Sequence, residues 1–449
     1  MKKYLKIIIY LNIKENKKIL MIEKFETDEE NDSIEKNHFK NKEKKPKNFS
    51  KLLKIILAIF LMIIILIILF FSFKEKLLKK SQKYYIVLVG DIGGIHSHLK
   101  LLNMTTDINI EPIILKNSTE FTVEYDSLEN LLKQFMLGTE KNQKPEYAVM
   151  GMPGPVENNH LITLQNIPHW ELVDGDTLGK KLGIKKLIFI NDFVGNGYAI
   201  QTKLKENIDY VVLNKVNPEK DGPILMIGPG TGLGMGFLLK NKKDKYYTIG
   251  SSEGGARDYS PKSEFNLKLR QFIKNEVGLE NVSLDKMCSA HSLIPIYKFL
   301  NIYGEKPYQR EKQLAKKIDG FKEYKKVGKV GEINSELIDK GLNGKCELSK
   351  QTLLLFIEIF GEIAGDMALF TLPFNGVYLL GRLTRDLTPL ILETSIFMYH
   401  FKNKDHFWFL LERIPVYLIQ NENIELIGVI EAARRFLEEM QESNEFSSI

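Results

Sequence analysis

The feature that most constrains this chain is a unit that occurs twice. Residues 84–102 read YYIVLVGDIGGIHSHLKLL. Six apolar residues, 84–89, are rich in aromatic and β-branched types and predict a fully buried strand. A turn follows, Gly90-Asp91-Ile92-Gly93-Gly94, and then a second apolar strand at 99–102. Residues 224–239 repeat the order: a strand at Ile224-Leu225-Met226-Ile227, the turn Gly228-Pro229-Gly230-Thr231-Gly232-Leu233-Gly234, and a returning strand at 235–239. Glycines let a turn adopt positive φ and let backbone approach a ligand closely. The tip of such a hairpin exposes several N–H groups, which suits an anion. Thr231 adds a hydroxyl donor, and Asp91 at the strand exit is placed to hold a metal or its water. Neither turn has the dinucleotide spacing GxGxxG before a helix. Two such units in one chain predict two related α/β halves, each offering a phosphate-cradling hairpin to a shared cleft.

Charge is distributed unevenly. The chain carries a net +6, but residues 1–83 hold 20 Lys and Arg against 10 Asp and Glu, which leaves the remainder at −4. Nucleic-acid binding by the folded part therefore lacks electrostatic support. Two cysteines, Cys288 and Cys346, argue against a disulfide scaffold or a cysteine zinc site. Residues 1–54 are polar and charged and predict a disordered tail. Residues 55–73 contain no charge. At 1.5 Å per residue that length matches about one bilayer core, so the expectation is a single transmembrane helix.

From Lys83 onward the pattern is α/β. A short strand is expected at 113–115, and a helix at 127–136 capped by Ser127. A strand at 147–150 ends in Gly151-Met152-Pro153-Gly154-Pro155. A buried strand at 187–190 ends at Asn191-Asp192, and polar residues at a strand's carboxyl end are where open α/β sheets place ligand groups. Glu253-Gly254-Gly255 follows the second hairpin, where a carboxylate beside two glycines can reach a ligand. Residues 305–350 read as a mostly exposed, helix-containing insert. Residues 351–372 form a long apolar helix whose Gly361 and Gly365 leave room for another backbone, and residues 425–440 a closing helix.

The segments LVGDIGG, PGPVENN, INDFVGNGYAI, IGPGTGLGMGFL, EGGARDYSP, VSLDKMCSAHSLIPIY, GVYLLGRL and IPVYLI, in this order, resemble bacterial-type glucokinases of the actin-like sugar-kinase (ribonuclease H-like) fold. The resemblance implies a two-domain α/β architecture with an interdomain cleft: a small domain at 84–202 completed by a helix near 425–445, and a large domain at 203–424. It implies transfer of the γ-phosphoryl group of ATP, with Mg²⁺, to the 6-hydroxyl of glucose or a related hexose. Asp192 would be the general base. Asn191, Asp192, Glu253 and Asp285 would hold the sugar. Gly90, Asp91, Gly93 and Gly94 on one side, and Gly228, Gly230, Thr231 and Gly232 on the other, would hold the nucleotide, with Asp91 placing the metal. The family also suggests a homodimer. Combined with the apolar run, the expectation is a single-pass membrane protein with a cytosolic kinase domain.

Six positions depart from the family pattern: His96 and His98 replace an asparagine and an arginine of the first hairpin, Asp285 stands for a sugar-binding glutamate, and three more stand out. Ile95 replaces a hydroxyl donor in the first hairpin, Ala256 replaces the imidazole of an EGGH segment, and Arg382 replaces the second glycine after the GVYLL strand. These departures define an alternative expectation, a catalytically weakened or inactive relative that binds sugar or nucleotide as a membrane-tethered sensor or scaffold.

Overall fold

The computed structural model describes residues 58–70 and 83–447, apart from 165, 166, 168 and 325. Two compact units make up the chain, 1–81 and 82–449. In the first, residues 58–70 form a helix with exposed apolar side chains such as Phe60, Leu66 and Phe70. Among the described residues no helix is long and apolar enough to cross a membrane. This overturns the expected transmembrane helix and the membrane localisation inferred from it. The ends of that expected span, 55–57 and 71–73, and the expected tail at 1–54 lie outside the described residues.

The second unit contains two mixed sheets of similar plan. In the first, β1 (Tyr85–Ile92), β2 (His96–Met104) and β3 (Ile113–Phe121) form an antiparallel meander. β4 (Tyr147–Met152) runs parallel to β1, and after a small hairpin, β5 (Val156–Glu157) and β6 (His160–Leu161), β7 (Lys186–Asn191) runs parallel to β4. The second sheet repeats this. β8 (Tyr210–Asn214) sits at its far edge, while β9 (Ile224–Pro229), β10 (Leu233–Leu239) and β11 (Thr248–Ser252) form the antiparallel part. β12 (Gly376–Leu379) lies parallel to β9, and β13 (Val416–Ile419) parallel to β12. The sheet orders are β3-β2-β1-β4-β7 and β11-β10-β9-β12-β13-β8.

The unbroken apolar run of β1 follows from burial on both faces. Leu88 faces a core that includes Leu128, Leu131 and Phe135 of the helix Leu128–Met136. Val87 and Val89 face Leu426, Val429, Ala433 and Leu437 of the last helix, Ile424–Ser447. The chain therefore returns from the second sheet to cover the first. Between the sheets, Ala199 and Ile200 of the helix Asp192–Ile200 pack with Met226 and Leu238 of the second sheet and with Ile424.

The long helix is Glu347–Thr371. Gly361 and Gly365 admit a neighbouring helix, Ile396–Lys402: a Cβ at Gly361 would lie 2.5 Å from the Phe397 carbonyl oxygen. The segment 305–350 is not an exposed insert. Its helices Lys312–Asp319 and Val327–Leu342 place Leu314, Ile318, Val330 and Leu337 in the largest core. The charges that dominate its composition occupy only the outer faces of these amphipathic helices.

Candidate active site

The site is built around the end of β7. Asn191 is the N-cap of the helix Asp192–Ile200 and accepts the N–H groups of Phe193 (2.9 Å) and Val194 (3.3 Å) at Oδ1. Its Nδ2 donates to the Gly154 carbonyl (3.0 Å), which ties the Pro153-Gly154-Pro155 turn to the strand end. Asn191 is thus committed to backbone, which satisfies helix donors that would otherwise be orphaned. Asp192 is the first residue of the helix, and its Oδ1 accepts the Phe193 N–H at 2.8 Å.

This helix crosses the last helix at two glycines. A Cβ at Gly428 would fall 1.7 Å from the Gly195 carbonyl oxygen. No side chain fits there, so the two backbones approach directly. Both helices begin close to the crossing, and their first turns carry Asp192 and Glu425.

A cavity of about 610 Å³ opens beside them. Asn191, Asp192, Phe193, Gly228, Gly230, Thr231, Gly232, Glu253, Ala256, Asp285, Arg382, Arg385 and Glu425 are among its lining residues. Burial pushes the Asp192 carboxyl up to about 7; Glu425 and Glu253 add to the rise, while hydrogen bonds from the Phe193 N–H and Asn191 oppose it. Asp91 rises well above the ordinary carboxylate range, first through burial, then through the charges of Glu425 and Asp192 and a hydrogen bond shared with Glu425. Asp91, Asp192 and Glu425 thus form one acidic group.

The second hairpin faces the cavity with its tip. The Gly230 N–H bonds the Gly232 carbonyl (2.7 Å), and the Gly230 carbonyl accepts the Ala290 N–H (2.9 Å). Asp285 Oδ1 accepts the Leu233 N–H at 2.8 Å and its Oδ2 pairs with Lys286 at 2.9 Å, so this side chain braces the hairpin as well as lining the cavity. Gly228 allows the close approach of Leu380, whose carbonyl oxygen would lie 2.6 Å from a Cβ there. Gly234 serves another purpose: a Cβ would lie 2.0 Å from the Phe193 ring. The residue after Asp192 therefore packs directly on the hairpin.

The first hairpin is arranged differently, and Gly90, Asp91, Gly93 and Gly94 are outside the cavity lining. Gly90 lies within β1, where a Cβ would strike Met150 Sδ and Leu99 Cδ2 at 2.6 and 2.7 Å. Its absent side chain makes room for core packing. The Gly93 N–H is taken by the His96 carbonyl (2.9 Å), and Thr122 Oγ1 donates to the Gly93 carbonyl (2.8 Å). Ile95 is exposed. Burial and the neighbouring His96 lower His98, against a smaller raising effect of Glu425.

Glu425, Phe193 and Arg385 were not among the candidates drawn from the sequence. Glu425 looked like an ordinary first-turn acid of a closing helix, and only the return of that helix to the first sheet brings it to Asp192. Phe193 had a weak signal in the surplus glycine at the end of the second turn.

Comparison with known proteins adds a family. A family model described as Glucokinase matches residues 88–436. A glucokinase of Nostoc punctiforme is 32% identical over 353 residues, covering 78% of this chain and 99% of that protein. Among solved structures, a glucokinase from an Antarctic psychrotroph superposes with a TM-score of 0.61 at 23% identity, covering 78% of this chain and 99% of that one. A glucokinase from Balamuthia mandrillaris, solved in complex with glucose, superposes with a TM-score of 0.59 at 16% identity, covering 79% and 94%.

Proposed function

The chain belongs to the glucokinase family of sugar kinases, and from that premise we propose that it transfers the γ-phosphoryl group of ATP to the 6-hydroxyl of glucose, with Asp192 as the general base. The observation that carries this reading is Asp192 itself. Its desolvated carboxyl, with a pKa near 7, opens onto the same cavity as the second hairpin and Glu253. A base titrating near the working pH combines the right protonation state with useful proton affinity.

In this reading glucose sits against Asp192 and Glu253, and the triphosphate lies along Gly228, Gly230, Thr231 and Gly232. The 6-hydroxyl gives its proton to Asp192 as the O6–Pγ bond forms, and the bond from Pγ to the ADP oxygen breaks. Arg382 and Arg385, on the cavity wall, supply positive charge to the nucleotide. Asp91 and Glu425 are carboxylates close enough for Glu425 to raise Asp91, and neighbouring carboxylate oxygens suit a divalent cation. These two residues would hold Mg²⁺ through their oxygens. When bound, Mg²⁺ offsets charge on the β- and γ-phosphates. Closure of a small lobe, 84–202 with the last helix, on a large lobe, 203–424, would exclude water from the transfer.

The test is a coupled assay for glucose 6-phosphate on the full chain with MgATP, run beside other hexoses. ATP-dependent product with glucose preferred supports the reading. A folded chain that binds glucose and makes no product with any hexose sinks it.

A pH dependence follows from the same carboxyl. The base acts only when unprotonated, so kcat/KM for glucose is expected to fall about tenfold per pH unit below an apparent pKa near 7. A rate profile from pH 5.5 to 8.5 checks this, and a flat profile would remove Asp192 from the role.

A further inference from the structure

Away from the cavity, the long helix Glu347–Thr371 and its neighbour Ile396–Lys402 bring together Glu358, Glu362 and His400. Glu358 and Glu362 stand one helical turn apart, so both carboxylates face the same way. Gly361 between them admits the second helix, and a Cβ there would lie 3.2 Å from His400 Cβ. That close approach seats the imidazole over the two acids. His400 Nε2 lies 3.8 Å from Glu358 Oε2, and Nδ1 lies 3.6 Å from Glu362 Oε1. One donor atom from each residue falls within 4.8 Å of the others. None of the three lines the catalytic cavity.

Two further observations point to a ligand here. Glu362, only 6% exposed, has its other oxygen held by Tyr259 Oη (3.4 Å) and Asn266 Nδ2 (3.3 Å). Outer hydrogen bonds of this kind orient a metal-binding carboxylate. Asn266 is 1% exposed, and its Oδ1 has no hydrogen-bond partner. An unpaired acceptor that deep is costly, and a metal-bound water beside Glu362 would supply the missing donor.

We propose that Glu358, Glu362 and His400 form a zinc site, with water as fourth ligand, that pins the two helices together. One imidazole and two carboxylates suit zinc, whereas Mg²⁺ and Ca²⁺ take oxygen ligands. Zinc–ligand bonds of about 2.0–2.2 Å put neighbouring donors roughly 3.4 Å apart. The two short approaches use different ring nitrogens, so the imidazole must turn to bring one nitrogen to both carboxylates, from donor separations already within 4.8 Å. The remaining solvent exposure of Glu358 and His400 leaves an entry path.

The test uses the full chain, stripped with a chelator, equilibrated with Zn²⁺ and dialysed, with metal measured by mass spectrometry. One zinc per chain is expected, together with a thermal midpoint several degrees above that of the stripped protein. Glu358→Gln and His400→Asn should lose both the zinc and the shift, and Asp192→Asn should keep them. Co²⁺ in place of Zn²⁺ should give the visible absorption of a four-coordinate site in the unmutated chain, which makes the result independent of how the variants fold. No bound zinc in the unmutated chain overturns the proposal, as does equal zinc in Glu358→Gln.

Discussion

Asp192→Asn is expected to lower kcat by roughly 10²–10⁴-fold, the usual contribution of a positioned general base. The substitution removes the proton acceptor and little else. An Asn oxygen can still accept the Phe193 N–H that Asp192 Oδ1 accepts now, and the cavity keeps its volume. Glucose affinity, measured by calorimetry, should therefore change far less than kcat. Stability should move the other way. Burial raises the folded pKa of this carboxyl from 3.8 to about 7, so the native state holds the proton more tightly than the unfolded chain. The group is at its least costly below the unfolded value, and destabilises progressively as pH rises through the folded one. The gain in melting temperature from Asp192→Asn should grow between pH 4 and pH 7 and level off above. Turnover within tenfold of the unmutated chain, or a stability gain confined to acid pH, would contradict the assignment.

The second large effect is expected at a residue that touches no substrate. Gly428→Val places a side chain where the Gly195 carbonyl oxygen would lie 1.7 Å from its Cβ. The helices must separate, because neither backbone can yield locally. Overpacking of this kind costs about 1–3 kcal/mol or more. The crossing also carries the first turns that hold Asp192 and Glu425, so separation moves the base relative to the second hairpin. A displacement of about 1 Å can cost roughly 10²-fold in rate. The expected outcome is a folded protein with a lower melting temperature and a kcat reduced by about that factor. Gly331→Ala is the control. It lies in the helix Val327–Leu342, nothing lies within 4 Å of its added Cβ, and it should gain about 0.5–1 kcal/mol of stability with kcat unchanged. If Gly428→Val were as active as the unmutated chain, the crossing would not be what positions the base.

Legibility of this chain from its sequence divides along physical lines. Strands buried on both faces announce themselves as unbroken apolar runs, and β1, β4 and β9 did so. The second hairpin was readable because its glycines cluster in one turn. The first is built differently, in a way its sequence does not show: Gly90 serves packing and the Gly93 N–H is spent within the turn. Composition failed at 305–350, where charges on the outer faces hide Leu314, Ile318, Val330 and Leu337. It failed again at 55–73, where absence of charge was read as a membrane span although no helix among the described residues is long and apolar enough to cross one. Glu425 was invisible for a different reason. Its role depends on a contact between the first sheet and a helix more than 300 residues away in the chain, and no local pattern encodes that.

The return of the last helix has a consequence for how this protein is made. Strand β7 ends at Asn191, and the helix that covers Val87 and Val89 begins at Ile424. At about 5–20 residues per second, the ribosome needs on the order of 10–50 s to cross that interval. Throughout it, the first sheet is complete in sequence but has one apolar face bare. A nascent chain in that state is a natural client for chaperones, and a polypeptide released before residue 424 would keep the sheet sticky and the acidic group without Glu425.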